Sequence, residues 1–190
     1  MKLNLAKPFE KQCEFLRADT RYIAYGGARG GGKSFAVRLK ATLLALHYRG
    51  IKILILRRTY PELKNNHIRI MSSELASVAK YNDSDKTLLF KCGSFIKFGY
   101  CANDGDVTQY QGQEYDIIFI DEATQFTEYQ FTALRAALRG ANDFPNLRGV
   151  SYEMTVLPRT NESEDYEKAA VATRVLRSFM SVSEFDAKQN

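Results

Sequence analysis

Gly27-Ala28-Arg29-Gly30-Gly31-Gly32-Lys33-Ser34 fits the pattern G-x-x-x-x-G-K-[ST] without a mismatch. Its chemistry explains its composition. Successive backbone N–H groups can close around an anion only where the chain turns tightly and comes near it, which glycine permits at little steric cost. A helix opening directly behind the loop aims the positive end of its dipole at the same point. Lys33 adds a compact charge within reach of the β- and γ-phosphates, and the hydroxyl of Ser34 suits Mg²⁺. No G-x-G-x-x-G can be laid on these glycines, which excludes the dinucleotide alternative.

The flanking sequence supplies the context this loop needs. Arg21–Tyr25 is a short β-prone run ending in Gly26-Gly27. Lys33–Tyr48 places Phe35, Val37, Leu39, Leu43, Leu44 and Leu46 at helix-compatible spacings, and Arg49-Gly50 provides a stop. Ile51–Leu56 is almost wholly apolar, as a strand covered on both faces must be. Thr59-Tyr-Pro-Glu62 reads as a capping box opening a helix to about Ala79, followed by a polar loop at Tyr81–Asp85. Thr87–Cys92 and Phe95–Cys101 flank Gly93-Ser94, a type II′ hairpin signal. Thr127-Glu-Tyr-Gln130 is a second capping box, leading a helix that stops at Gly140; Gly149–Val156 reads as a strand and Tyr166–Met180 as a helix. Strands alternating with helices predict an α/β fold with a mainly parallel central sheet flanked by helices.

The second chemical feature is Ile117-Ile-Phe-Ile120-Asp121-Glu122. A buried strand ending in an acid puts Asp121 at the carboxyl edge of the sheet, where ligands sit in open α/β folds. There Asp121 can hold Mg²⁺ through water opposite Ser34, and Glu122 can act as general base toward an attacking water. The adjacent pair of acids favours hydrolysis over phosphoryl transfer to a small acceptor.

Composition narrows the rest. The 190 residues are 45% apolar and 26% charged with mean hydropathy −0.34, proportions of one globular domain rather than a disordered chain. No run of eighteen apolar residues offers a membrane span, and Met1–Leu5 opens no secretory signal. Cys13, Cys92 and Cys101 are odd in number without CxxC spacing, and His47 and His67 lie far apart. A disulfide scaffold or Cys/His zinc site is therefore not expected, and the cysteines read as small buried side chains in a reducing compartment. Residues 1–150 carry 22 Lys/Arg against 15 Asp/Glu, whereas 151–190 carry 5 against 7. The basic excess of the first part is compatible with a polyanion but does not identify one.

Gly26–Ser34, Ile53-Leu-Ile-Leu-Arg-Arg-Thr-Tyr-Pro-Glu-Leu63, Tyr110-Gln-Gly-Gln-Glu-Tyr-Asp116 and Ile120-Asp-Glu-Ala123 with Gln125-Phe-Thr127 closely resemble, in order, the large terminase subunit of tailed bacteriophages. The resemblance runs from about residue 8 to residue 150. It implies a P-loop NTPase fold of the additional-strand, catalytic-glutamate type: an ATPase with Mg²⁺ that works as a homo-oligomeric ring on the capsid portal. Such a ring moves double-stranded DNA in the host cytoplasm, with portal protein and small terminase subunit as partners. It also implies roles for single residues. Gln12 would read the adenine, and Arg29 inside the loop would sense the γ-phosphate, beside Gly27, Ala28, Gly30, Gly31, Gly32, Lys33 and Ser34 as nucleotide-binding residues. Catalysis would rest on Glu122, Lys33 and Arg29, and metal binding on Ser34 and Asp121. A ring motor needs an arginine finger. Arg135, Arg139 and Arg148 are candidates, as are Arg57 and Arg58.

Two departures from the family pattern stand out. Where relatives carry a small-polar coupling motif, this chain has Met154-Thr155-Val156-Leu157-Pro158, of which only Thr155 and Pro158 are comparable. The family's nuclease domain has no counterpart in 159–190, whose acids (Glu162, Glu164, Asp165, Glu167) read as a solvated helix start. The expected organisation is an ATPase domain over 1–158 and an acidic, helical tail over 159–190, without nuclease activity. Two other readings stay open here: a nucleotide-binding but catalytically idle remnant or regulator, and a helicase-like P-loop ATPase.

Overall fold

The computed structural model describes residues 6–18, 22–28, 30–139, 152–155 and 158–159. The chain enters through α1 (Glu10–Arg17), β1 (Tyr22–Ala24), the two-residue β2 (Gly27–Ala28) and α2 (Lys33–His47). β3 (Lys52–Arg57) leads into a helix built from α3 (Tyr60–Leu63), a π-helical turn (Lys64–Ile68) and α4 (Arg69–Glu74). β4 (Ala79–Asn82), β5 (Thr87–Phe90) and β6 (Phe95–Tyr100) form a meander, and a 3₁₀ segment (Asp104–Tyr110) precedes β7 (Ile117–Ile120). A short 3₁₀ turn (Ala123–Gln125) and α5 (Glu128–Arg135) follow, then β8 (Tyr152–Thr155) and β9 (Pro158–Arg159).

The main sheet has the order β1-β8-β7-β3-β6-β5-β4. Its first five strands are parallel, and the β6-β5-β4 edge is antiparallel. β8 lies between the strand leading into the phosphate loop and the strand ending in Asp121, the inserted position that defines the additional-strand class. Residues 158–159 pair in parallel with Gly27–Ala28, so the stretch around Thr155 and Pro158 runs beside the start of the loop.

The central strands show why an unbroken apolar run was required. Ile53, Ile55, Ile117 and Phe119 face one core, with Ala36, Val37, Ala41 and Ala45 of α2 and with Leu63, Ile68 and Met71. Their neighbours Leu54, Leu56, Ile118 and Ile120 face the other, with Phe131 and Leu134 of α5. Each such aliphatic side chain contributes about 1.5–3 kcal/mol on full burial, so neither face tolerates a polar substitution. Asp116 fastens the bottom of this layer: its carboxylate accepts from the Lys52 amide at 2.7 Å and its own amide donates to the Lys52 carbonyl at 2.8 Å. Tyr110, from the same motif, crosses over Gly99 and donates its hydroxyl to the Tyr100 carbonyl at 2.9 Å. The motif around Tyr110–Asp116 thus serves the sheet.

Several local expectations are corrected. The helix after Thr59 ends at Glu74, and Ala79 already belongs to β4. Thr59 does not cap through its hydroxyl oxygen; it donates to the Glu62 carboxylate at 2.8 Å. Tyr81 and Asn82, expected in a loop, lie in β4, where pairing with β5 and the contact of Tyr81 with the Phe98 ring outweigh polar composition. The hairpin is a three-residue loop with a G1 bulge, not type II′. The Gly93 amide returns to the Phe90 carbonyl at 3.0 Å, and Gly93 sits at φ +87. Ser94 is buried because its hydroxyl donates to the Tyr48 carbonyl and accepts from the Gly50 amide. Cys101 is buried, but Cys13 and Cys92 are only half-buried, and all three are free thiols. The capping box at Thr127 is complete, with Gln130 answering it. The helical tail expected at 166–180 lies outside the described residues.

Candidate active site

The phosphate loop starts as a strand and ends as a helix cap. Gly30 and Gly32 take φ +79 and +70, and Gly32 is the N-cap of α2. Gly31 is exposed, Lys33 begins the helix buried, and Ser34 follows it half-buried. Gly27 and Ala28 form β2; Arg29 lies outside the described residues. Gln12 reaches the loop from α1. It is 2% exposed, its amide nitrogen donates to the Gly32 carbonyl at 3.1 Å, and its oxygen accepts from the Phe9 amide at 2.8 Å. Its side chain therefore braces the loop in this structure. Lys40 of α2 caps the other end of α1, its ammonium donating to the carbonyls of Phe15 and Ala18 at 3.0 and 2.6 Å.

A methyl group at Gly32 would sit 2.5 Å from the Gln12 amide nitrogen, in a left-handed conformation. At Gly30 it would meet nothing within 4 Å. Gly32→Ala should therefore lower stability by about 1–3 kcal/mol from backbone strain and the clash together. That corresponds to a fall in Tm of roughly 2–12 °C. Thermal unfolding of Gly32→Ala beside Gly30→Ala measures the difference; equal Tm values would show that the Gln12 contact has no energetic weight.

Asp121 follows β7 and is completely buried. Its Oδ2 takes three contacts: Ser34 Oγ donates at 2.8 Å, His67 Nε2 lies at 2.8 Å and Arg57 Nε at 3.0 Å. Its Oδ1 is buried without a partner among the described residues. Burial alone pushes this carboxyl up, but the His67 hydrogen bond and charge, then the Arg57 charge and the Ser34 hydrogen bond, outweigh it and hold the pKa at about 2. Burial pushes the His67 pKa below the ordinary imidazole value, opposed by the Asp121 hydrogen bond and charge. A carboxylate can only accept, so the imidazole proton is on Nε2.

Glu122 has φ +59, a left-handed turn that a non-glycine residue adopts at a cost of about 1–2 kcal/mol. Burial, then the neighbouring Asp121 charge, raise its pKa, opposed by Lys33 and Arg57. Arg57 Nη2 is 3.7 Å from its Oε1. Of the arginine-finger candidates, Arg57 is committed to these two acids within the same chain. Arg58 donates to the Gln125 carbonyl, and Arg139 Nε donates to Ala136 O at 2.6 Å. Arg148 lies outside the described residues. Sequence reasoning misses His67 as a site residue: a lone histidine in Lys64-Asn-Asn-His-Ile68 carries no motif, and only tertiary packing brings it to Asp121.

The site thus gathers Gly32, Lys33, Ser34, Asp121 and Glu122, with Gln12 behind the loop. The atoms here that could hold a metal are hard oxygens, one hydroxyl and one carboxylate, and the buried Asp121 Oδ1, without a partner among the described residues, is of the donor type that suits Mg²⁺ bound partly through water. A depression lined by Lys52, Thr87, Leu89, Phe95 and Lys97 lies at the opposite edge of the parallel strands and shares no residue with this chemistry.

Comparison with known proteins agrees with this architecture. The large terminase of a thermophilic bacteriophage superposes with a TM-score of 0.68 at 17% identity, covering 89% of this chain and 43% of that one. The same phage's protein in complex with ADP gives 0.62 at 17% identity, over 77% and 38%. The N-terminal domain of the DNA packaging ATPase from bacteriophage phi29 gives 0.56 at 16% identity, over 84% of each chain. The chain thus spans less than half the length of the thermophilic phage's terminase. No curated protein matches it. A family model described as phage terminase large subunit matches residues 19–168, and the chain belongs to that family.

Proposed function

We propose that this chain is the ATP-hydrolysing part of a DNA-packaging motor. It would drive double-stranded DNA into a procapsid in the host cytoplasm, as a homo-oligomeric ring with portal protein and the small terminase subunit. The observation that carries the reading is the 2.8 Å contact between Ser34 of the phosphate loop and Asp121, with Glu122 next in the chain. The thermophilic phage's terminase has been solved with ADP, and the phi29 protein is called a DNA packaging ATPase, both in this fold.

The residues divide the work as follows. Loop amides and Lys33 neutralise the phosphates and orient the γ-phosphoryl group. Ser34 and Asp121 would hold Mg²⁺, which when bound offsets negative charge on the phosphates. Glu122 takes a proton from the attacking water; its raised proton affinity makes it a better base than an exposed carboxylate. Arg57 holds both acids in place. Arg29 would sense the γ-phosphate, and Gln12 would leave its loop contacts or share them when it meets adenine. The arginine finger is assigned to a neighbouring subunit, because Arg57 is occupied within its own chain.

The test is ATP turnover with and without duplex DNA, on this chain and on Lys33→Ala. Mg²⁺-dependent hydrolysis that duplex DNA stimulates, and that Lys33→Ala abolishes, is expected. DNA stimulation should fall steeply with salt, since phosphate contacts release counterions. Tight ATP binding without turnover, even with DNA and portal present, would favour an idle nucleotide-binding protein instead.

A further inference from the structure

We infer that His67 is a positioning residue for the metal-binding carboxylate: it holds Asp121 Oδ2 so that Oδ1 alone is presented to Mg²⁺. The inference rests on the Mg²⁺ site proposed above. It stands on four observations.

First, the contact is buried on both sides. His67 and Asp121 are each fully inaccessible, and Nε2 lies 2.8 Å from Oδ2. Second, the three described partners of the carboxylate converge on that one oxygen, leaving Oδ1 buried without a partner among the described residues. A carboxylate clamped this way cannot rotate to exchange its oxygens without breaking three contacts. Third, His67 stands in a π-helical turn, where the Arg69 amide reaches back to the Lys64 carbonyl. The insertion turns the helix face, and π turns cost hydrogen-bond geometry that is kept mainly where a side chain is needed. Fourth, the turn is braced from the phosphate-loop helix. Arg38 of α2 donates to the Asn66 carbonyl at 2.5 Å, and Asn66 donates to the Glu62 carbonyl at 2.8 Å. Helix 60–74 is therefore pinned between the helix that carries Ser34 and the strand that carries Asp121.

A buried imidazole needs an acceptor in any role, and the acceptor it meets here is the same carboxylate that the proposed site offers to a metal. Second-layer partners of metal-binding groups typically change metal affinity or activity by about 10–100-fold when removed. The same size of effect is expected here, confined to the metal-dependent part of nucleotide binding.

The experiment measures the Kd of a fluorescent ATP analogue with Mg²⁺ and with EDTA, for the wild-type chain, His67→Phe and His67→Gln. Phenylalanine keeps the ring volume and loses the donor. Glutamine places an amide N–H the same number of bonds from Cβ as Nε2. His67→Phe should lose about tenfold or more of the Mg²⁺-dependent gain in affinity, with its EDTA value within about twofold of wild type. His67→Gln should recover most of that gain. A full Mg²⁺ gain in His67→Phe overturns the inference and leaves the site reading intact. Absence of a Mg²⁺ gain in the wild-type chain overturns both. Should His67→Phe fail to unfold cooperatively, the imidazole ¹⁵N–¹H correlation spectrum of the wild-type chain decides: an Nε2–H tautomer supports the inference and an Nδ1–H tautomer overturns it.

Discussion

Glu122→Gln is expected to bind ATP like the wild-type chain and to hydrolyse it about 10²–10⁴-fold more slowly, the usual worth of a positioned general base. The amide keeps the size of the carboxylate and can occupy the same left-handed turn at φ +59, so the loss should fall on turnover and not on folding. What disappears is the proton acceptor. Burial and the Asp121 charge raise the proton affinity of Glu122, and the other carboxylates described near it are engaged: Asp121 is held by Ser34, His67 and the Arg57 charge, and Glu62 accepts from the Thr59 hydroxyl. Single-turnover hydrolysis, with analogue binding measured in parallel, checks the split. Unchanged turnover would remove Glu122 from the mechanism, and a parallel loss of binding would make its role structural.

Asp121→Asn should damage both folding and function. Removing the charge leaves the buried Arg57 with Glu122 at 3.7 Å in place of its closer partner, and breaking one side of a buried ion pair costs up to about 3 kcal/mol. The pH dependence carries an independent signature. The folded-state pKa of Asp121 is depressed from 3.8 to about 2, so the stability it contributes is present above pH 3.8 and disappears as pH falls toward 2. The difference in pKa amounts to about 2 kcal/mol at neutral pH. Urea unfolding of wild type and Asp121→Asn in metal-free buffer should show a gap that is wide at pH 7 and narrows between pH 4 and pH 2. A gap independent of pH would mean that the cluster does not depress this carboxyl.

The legibility of the site in the sequence followed the range of the interactions involved. The phosphate loop could be read because its chemistry is local: eight consecutive residues supply the turn, the charge and the hydroxyl. Asp121 and Glu122 were readable because the end of an apolar strand is also the end of the sheet. Thr127 and Gln130 were readable because a capping box closes within three residues. The departures occur where a partner distant in sequence decides. Tyr81 and Asn82 are polar enough for a loop, yet β5 offers them backbone partners and the Phe98 ring covers Tyr81. The box expected at Thr59 fails because its hydroxyl finds a carboxylate acceptor instead of a backbone amide. Arg57 reads as one of several free arginines until the fold sets two acids beside it.

By itself the sequence determined a glycine-rich loop of the phosphate-binding pattern between strand and helix, a buried strand delivering two acids to its edge, and the family to which such a combination points. Local hydrogen bonding and hydrophobic alternation carry that information, and they need no knowledge of which strands are neighbours. Tertiary structure alone decided that β8 slips between β1 and β7, that Gln12 braces Gly32, and that His67 and Arg57 converge with Ser34 on one oxygen of Asp121. Those contacts join residues 20 to 87 positions apart. Their energy exists only after packing has excluded water and fixed their geometry, so no short window of sequence could have announced them.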